Sequence, residues 1–227
     1  MPLYITYFII GITVMVSIPA MSNPELKSRL MFNAYAVKHQ RQWYRLFTHA
    51  LVHGDWMHLF MNMYVLYSFG CAREGRFFED EDIRQVLANQ TLEQQFGTLF
   101  QEKAHLFYIL LYVGAIFMSS VYSYEKNKDN MYYNALGASG AVAAVVFASI
   151  LINPMGGIGI IFIPFFIPSW IFGILYLVYS WYMGKKGDDN IGHDAHFWGA
   201  VYGIAFTLCL KPALAVSFLD QVRGHIG

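Results

Sequence analysis

The feature that most constrains this chain is a long stretch without charge: from Asn130 to Gly184 there is no Asp, Glu, Lys or Arg. A membrane-spanning helix needs about 20 mainly apolar residues, so this stretch is long enough for two such helices. Charged residues make up only 13% of the whole chain, against roughly 25% in ordinary soluble domains. These features exclude a soluble globule, a coiled coil and a disordered chain, and they predict a polytopic membrane protein.

Six segments are apolar enough to be predicted as spanning helices, which gives an all-α bundle as the expected fold class. The uncharged stretch divides at residues 153–157, where Asn, Pro, Met and two Gly form a strong turn signal. We expect Pro164 and Pro168 to kink the start of the fifth span, which neighbouring helices tolerate inside a membrane. The predicted spans, in a single membrane domain of residues 1–227, are 3–21, 56–72, 106–124, 134–152, 158–183 and 195–210. No basic residue precedes Lys27, so the first segment is interpreted as a retained helix and not a cleaved signal peptide.

Two connections between the spans are long. Residues 22–55 mix apolar and basic side chains, which is typical of a loop in the membrane interface, although a small extramembrane subdomain has the same composition. Residues 73–103 form a polar loop centred on the acidic run 79–82, and we expect a solvated loop or a short surface helix there. Cys71 and Cys209 are too few for a disulfide framework and are interpreted as packing residues.

The distribution of basic residues bears on orientation. Lys and Arg are enriched on the cytoplasmic side of membrane proteins. Of the 15 in this chain, more lie in the connections 1–2, 3–4 and 5–6, which share one side, than on the opposite side. This bias alone places the first long loop in the cytoplasm. Because the net charge is zero, nothing in the composition indicates a nucleic-acid partner.

Three polar clusters lie at the ends of predicted spans, where such residues are rare and are functional candidates. His58 and Asn62, at the entry to the second span, are four residues apart and share one helix face. Ser139 starts the fourth span within a Gly-Ala-Ser-Gly sequence, and His196 starts the sixth. All three clusters adjoin connections on the same side of the membrane, so we expect them at similar depth. Together they supply a nucleophile, a general base and oxyanion donors, the parts needed for acyl transfer.

The small residues in the fourth and sixth spans have a second interpretation as helix-packing sites. Gly140 is followed by Ala144 and Ala148, and Gly199 by Gly203, at four-residue spacing. Such stripes let helix backbones approach closely in a membrane. The two interpretations are compatible, because close backbones are what bring a serine and a histidine on different helices into contact.

At these residues the chain resembles the rhomboid intramembrane serine proteases. The resemblance is carried by the sequences RLFTHALVH at 45–53, HLFMN at 58–62, GCARE at 70–74, GASG at 137–140, and Ala-His at 195–196 followed by Gly199 and Gly203. It extends over about residues 43–206. It implies a bundle of six transmembrane helices of rhomboid type, with a loop after the first helix that is partly embedded in the membrane.

The resemblance also implies roles for particular residues. Ser139 would be the nucleophile and His196 the general base of a Ser–His dyad, while the side chains of His58 and Asn62 and a backbone N–H near Ser139 would bind the oxyanion. The residues implied as structural supports are Arg45 and His53 in the loop after the first span, Glu74 at the inner end of the second, and Gly137, Gly140, Gly199 and Gly203. Some family members carry a tyrosine one turn after the serine, stacked on the histidine, where this chain has Ala143.

The function expected from this resemblance is hydrolysis of peptide bonds in or next to transmembrane segments, with no cofactor and no metal. The expected partners are single-span membrane protein substrates and the lipid bilayer. One alternative is a catalytically inactive rhomboid-like protein that binds membrane clients, and another non-enzymatic alternative is a transporter. A third is a membrane metalloenzyme, although the chain lacks an HExxH motif. The histidines available to that metalloenzyme are His49, His53, His58, His193 and His196.

The expected location is the bacterial inner membrane, in which the chain would be a multi-pass protein. The family topology implies an active site that opens to the extracytoplasmic side. This orientation is opposite to the one that the Lys and Arg bias favours. The sequence does not predict an oligomeric state or a particular substrate.

Overall fold

A computed structural model describes residues 4–71, 91–160, 163–187 and 191–226 of the chain. Within these residues the regular secondary structure is helical, apart from one antiparallel hairpin and an isolated β-bridge. The α-helices are α1 (Ile5–Ser22), α2 (Pro24–Leu30), α3 (Ala34–Gln40), α4 (Arg45–Thr48), α5 (Trp56–Gly70), α6 (Leu92–Phe100), α7 (Ala104–Asn127), α8 (Ser139–Ile152), α9 (Ser169–Lys186), α10 (His193–Leu210) and α11 (Ala213–Ile226). The strands of the hairpin are β1 (Gly157–Ile160) and β2 (Ile163–Pro168).

Two helical stretches of the described chain are long and apolar enough to cross a membrane. They are Ile5–Ser22 and the continuous run Leu92–Asn127, which contains α6 and α7. A third stretch qualifies if α10 and the following helix, bent by 113° relative to each other, are counted as one. These helices indicate a membrane protein. The count of six spans stays a prediction.

The helix α8 forms the centre of the fold. Its residues from Gly140 to Leu151 are all buried, and α5, α7 and α10 pack around it. A helix that is apolar on every side is stable only when other elements surround it. The predicted fourth span began at residue 134, whereas the helix begins at Ser139. The difference arises because Ala135 instead forms a β-bridge with Phe32, in the loop after α1.

The predicted fifth span was wrong at its start. Residues 158–168 were expected to be helical, but residues 158–160 and 163–168 belong to the strands β1 and β2, and α9 begins only at Ser169. In the antiparallel pairing Ile158 lies opposite Ile167, and Gly157 lies opposite Pro168. Proline disfavours a helix interior because it lacks an N–H, and β-branched and aromatic residues favour strands. The average hydropathy of this segment therefore predicted a spanning helix, although its residues locally prefer extended backbone.

The long connection after α1 contains α2, α3, α4 and a 3-10 turn at His49–Leu51. Asn23 and Asn33 start α2 and α3, because each side-chain oxygen accepts a backbone N–H of the first turn. Phe32 and Val37 are fully buried in a small core beneath these helices. The connection is thus a folded unit packed against the bundle.

Within the predicted polar loop at 73–103, residues 92–103 are helical, and one face of this part is buried while Gln94, Thr98 and residues 101–103 are exposed. In α6, Leu92 and Phe96 lie on one face and are fully buried against α7 and α5. Glu93 is also buried, and its carboxylate accepts the backbone N–H of Thr6 at 2.7 Å, so it caps the first turn of α1. A carboxylate at a helix N-terminus is stabilised by the unpaired N–H groups there. The acidic run at 79–82 lies outside the described residues.

Candidate active site

The backbone before Ser139 is held by the loop that follows α1. Gly137 has φ +111°, a conformation that favours glycine. Its N–H donates to the carbonyl oxygen of His49 at 2.9 Å, and Phe32 and Ala135 exchange two backbone hydrogen bonds. These bonds anchor the non-helical segment at the position where α8 starts. They place Ser139 at the N-terminus of the central helix.

His53 links α1 to this segment through a chain of hydrogen bonds. The Ala138 N–H donates to His53 Nε2 at 3.4 Å, so Nδ1 carries the proton and donates to Ser17 Oγ at 2.9 Å. Ser17 Oγ in turn donates to the carbonyl oxygen of Leu51 at 2.7 Å. His53 is fully buried, and burial lowers its pKa to about 3. The ring is therefore neutral, as this hydrogen-bond pattern requires.

His58 lies directly against the segment that leads to Ser139. Asp55 caps α5 by accepting the His58 backbone N–H at 2.8 Å, which fixes the first turn of that helix. The Gly54 N–H points to His58 Nδ1 at 3.4 Å, and this assigns the imidazole proton to Nε2. A Cβ atom on Gly137 would lie only 2.7 Å from Nε2 and Cε1 of His58. A glycine at 137 is therefore needed for the His58 N–H to reach this backbone.

Asn62 lies one turn after His58 on α5 and is buried. Its side-chain amide donates to the carbonyl oxygen of His58 at 2.9 Å. An amide nitrogen carries two hydrogens, so one donor of Asn62 is committed to its own helix. The second N–H is the one that could serve a ligand.

The helices that carry Ser139 and His196 touch through their backbones. A Cβ atom on Gly199 would overlap the carbonyl oxygen of Gly140, and one on Gly203 would overlap the carbonyl oxygen of Ala144. One turn earlier, a Cβ atom on Gly140 would lie 3.1 Å from the carbonyl oxygen of Ala195. The start of α8 therefore faces the start of α10. Within the described residues, the Ser139 side chain makes no hydrogen bond.

Aromatic contacts surround His196. Its ring centroid lies 6.3 Å from that of Tyr176 on α9, with the planes 30° apart. It also lies 5.9 Å from the ring of His193, which meets it edge to face. Asp194 points away from His196, since its carboxylate pairs with Lys126 at the end of α7, at 2.8 Å. An open cavity of about 190 Å³ lies beside this ion pair and His193.

The predicted supporting residues have the following positions. Arg45 is buried, and its guanidinium donates to the carbonyl oxygens of Ser28 and Met31, both at 2.7 Å. It thereby ties the end of α2 to α4. The four glycines of the prediction lie at the contacts described above. Glu74 lies outside the described residues.

The five histidines considered as metal ligands do not form one cluster. Among the described residues, no group of three His, Cys, Asp or Glu side chains is close enough to hold a metal ion. His49, for example, is buried and donates from Nε2 to Ser120 Oγ at 2.8 Å, because that hydroxyl donates its own hydrogen to Ile116. Burial lowers the pKa of His49 to about 4.

Sequence reasoning missed three residues of this site. His49 was considered only as a metal ligand, yet its carbonyl oxygen holds Gly137. His193 and Tyr176 contact the His196 ring. The position of His193 three residues before His196 was an available signal, because such residues are neighbours on a helix. No pattern in the sequence pointed to Tyr176, which lies on a different helix.

The fold and these contacts define a helical membrane protein with a serine-bearing helix packed tightly against a histidine-bearing one. The family model of the Rhomboid domain matches residues 40–213. The chain therefore belongs to the rhomboid family, which confirms the resemblance seen in the sequence. No curated protein matches the chain.

Proposed function

We propose that this rhomboid-family protein is an intramembrane serine endopeptidase with Ser139 as nucleophile and His196 as general base. The observation that carries the proposal is the backbone contact between α8 and α10 at Gly140, Ala195 and Gly199. This contact supports a dyad because Ser139 directly precedes Gly140 and His196 directly follows Ala195. Catalytic hydrogen bonds are often long in the absence of substrate and tighten in the complex. The Ser139 hydroxyl would accordingly turn towards His196 when substrate binds.

The chemistry proceeds in two steps. His196 removes the hydroxyl proton of Ser139 as its oxygen attacks the scissile carbonyl carbon, and the protonated ring then donates that proton to the leaving amine. The amine departs with one part of the substrate, and the other part stays as an ester on Ser139. His196 next removes a proton from water as the water oxygen attacks the ester carbon, and the protonated ring then returns that proton to the Ser139 oxygen as the carboxylic acid leaves.

The oxyanion formed in each step needs hydrogen-bond donors. The assignment of the His58 proton to Nε2, beside Gly137, supports His58 as one donor. The second N–H of Asn62 supplies another, and a backbone N–H at the start of α8 supplies a third. Losing one such donor typically costs about 10²–10³ in rate.

The length of α8 supports a reaction below the membrane surface. Its 14 residues extend about 21 Å at 1.5 Å per residue, against roughly 30 Å for the apolar layer of a bilayer. In the proposed topology the segment before Ser139 adds non-helical backbone at membrane depth, which is tolerated only where protein covers it. The hydrogen bonds of Gly137 and Ala138 to the loop after α1 provide that cover.

The proposed substrates are membrane proteins with a single span, cut in or next to that span. The proposed location is the bacterial inner membrane, in a six-span topology with the active site open to the extracytoplasmic side. An inactive rhomboid-like protein that binds membrane clients is the alternative. Family pseudoenzymes lose the serine or the histidine, whereas both are present here.

The test compares purified wild type with Ser139→Ala in liposomes that contain a chelator. The substrate is a single-span protein with a small-residue, helix-breaking segment, and a fluorophosphonate probe reports the reactivity of the serine. Wild type should cleave and be labelled, and Ser139→Ala should do neither. Ser149→Ala, at the other end of the same helix, is the matched control and should keep both activities. Cleavage that persists in Ser139→Ala would reject the nucleophile, and a wild type that binds substrate without labelling or cleavage would favour the inactive alternative.

A further inference from the structure

We propose that Tyr176 on α9 is a positioning residue that holds the ring of His196 in its reactive orientation. The inference rests on the proposed function, because it concerns the general base of that reaction. The two ring centroids are 6.3 Å apart with the planes within 30° of each other, in an offset stack. Aromatic pairs favour such offset arrangements at centroid distances of roughly 4.5–7 Å.

A second aromatic contact repeats the first one turn away. Tyr179, three residues after Tyr176, contacts His193, three residues before His196, with centroids 5.5 Å apart and planes at 84°. Because α9 and α10 run antiparallel, the two pairs lie side by side along the same helix contact. Residues three apart are neighbours on a helix surface. The double contact therefore fixes the rotation and the register of α9 against α10 at the general base.

The core around Tyr176 leaves room for its ring between α8 and α10. Ala143 lies one turn after Ser139, and Ala200 lies one turn after His196. Both are buried in the apolar cluster against which Tyr176 packs. Phe147 and Phe172 contact the tyrosine ring, at centroid distances of 5.5 and 5.7 Å. Tyr176 is therefore held by α8 and by its own helix, and its face contacts His196 from a fixed position.

This arrangement suits the task of a general base. The imidazole must keep one nitrogen directed at the serine during proton removal and at the leaving amine during proton return. A ring stacked on its face is hindered from turning about its own axis, while its edge nitrogens stay accessible. The stacking face of Tyr176, and not its hydroxyl, performs this role. It comes from a neighbouring helix, whereas the position one turn after the serine holds only Ala143.

The experiment measures kcat and KM for cleavage by wild type, Tyr176→Phe, Tyr176→Leu and Tyr182→Leu. Tyr182 lies on the same helix with 57% of its surface exposed and serves as the matched control. Tyr176→Leu should lower kcat by roughly 3- to 10-fold with KM unchanged, as expected for the loss of one aromatic pair. Tyr176→Phe should keep the wild-type kcat. A Tyr176→Leu enzyme that behaves like Tyr182→Leu, or a Tyr176→Phe enzyme as slow as Tyr176→Leu, would overturn the proposal.

A second measurement keeps this inference separate from the proposed function. The rate at which diethyl pyrocarbonate modifies His196, read by peptide mass spectrometry in the same four proteins, requires no proteolysis. Tyr176→Leu should be modified faster than wild type, and Tyr176→Phe and Tyr182→Leu at the wild-type rate. An unchanged rate in Tyr176→Leu would refute the contact even in an active protease. If wild type does not cleave, the proposed function fails while the modification rates still decide whether Tyr176 holds the ring.

Discussion

At the scale of single residues, the histidines near Ser139 owe their different roles to their neighbours. The backbone N–H of Ala138 fixes the proton of His53 on Nδ1, and that of Gly54 fixes the proton of His58 on Nε2. The Nε2 atom is thus an acceptor in His53 and a donor in His58. These two backbone contacts support the proposed roles, in which His53 is a structural support and His58 is an oxyanion donor.

The buried histidines make a prediction about pH. Burial lowers the pKa of His49 to about 4 and of His53 to about 3, from 6.5 in the unfolded chain. Between these values the unfolded chain binds protons that the folded protein does not, so stability is lost as the pH falls below 6.5. The free energy of unfolding at pH 5 should be lower than at pH 7 by up to roughly 2 kcal/mol for each histidine.

The measurement is SDS-induced unfolding in detergent micelles at several pH values. His53→Gln, which removes one of the two titrating groups, should be less stable at pH 7 but show a shallower decline towards pH 5. Trp43→Phe is the control, because Trp43 is exposed and carries no titratable group, so the slope should be unchanged. Equal slopes in His53→Gln and wild type would contradict the assignment.

At the scale of elements, the contact between α8 and α10 sets how closely the start of the serine-bearing helix approaches the start of the histidine-bearing helix. Small residues on both helices allow this contact, because any side chain at Gly199 or Gly203 would overlap backbone atoms of α8. Backbone atoms cannot move aside as a flexible side chain can. The stripe of small residues is therefore part of the site as well as part of the packing.

Replacing a glycine by alanine on these helices tests that contact. Alanine gains about 1 kcal/mol of helix propensity over glycine, so an unobstructed site should be neutral or stabilised. Gly199→Ala should instead lower the thermal midpoint and reduce cleavage at least 10-fold, because the helices must separate. Gly11→Ala on α1, where no atom lies within 4 Å of the added Cβ, is the matched control. A Gly199→Ala protein as stable and active as Gly11→Ala would show that the two helices do not pack in this way.

At the scale of the whole molecule, the described parts of the two long connections are attached to the helix bundle at defined contacts. The loop after α1 holds the segment before Ser139, and α6 caps the N-terminus of α1 through Glu93. Both attachments cross between distant parts of the sequence. The first attachment brings the loop after α1 and the segment before α8 to the same end of the fold, as a six-span topology requires.

That topology predicts which residues share a side of the membrane. Three predicted spans separate Asp129 from Gly224, so they should lie on opposite sides, whereas Lys38 pairs with Asp129 and should lie on the same side. Single cysteines at these three positions, in a protein with Cys71 and Cys209 replaced by serine, can be labelled with an impermeant maleimide. In intact spheroplasts the cysteines at 38 and 129 should react, and the one at 224 only after permeabilisation. Labelling of 129 and 224 from the same side would rule out the six-span arrangement.

The sequence by itself determined the membrane class, the family, the approximate positions of most helices and the residues proposed for the dyad. These features depend on hydropathy over about 20 residues and on short local motifs, and both can be recognised from the linear order of residues alone. The sequence-based prediction failed where local preference and average hydropathy disagree: residues 157–160 and 163–168 are as apolar as a span but form paired strands. The composition of the predicted polar loop at 73–103 likewise did not indicate an apolar face. Leu92 and Phe96 form such a face, and neighbouring helices bury it.

Only the tertiary structure decided which groups surround the proposed general base. The sequence showed Ala143 where some relatives have tyrosine, and it could not show that Tyr176 reaches His196 from another helix. The tautomers of His53 and His58 were equally inaccessible, because they depend on backbone groups brought near by folding. The physical reason is the same in each case: contacts between helices depend on how they are rotated and spaced, and no local periodicity encodes that.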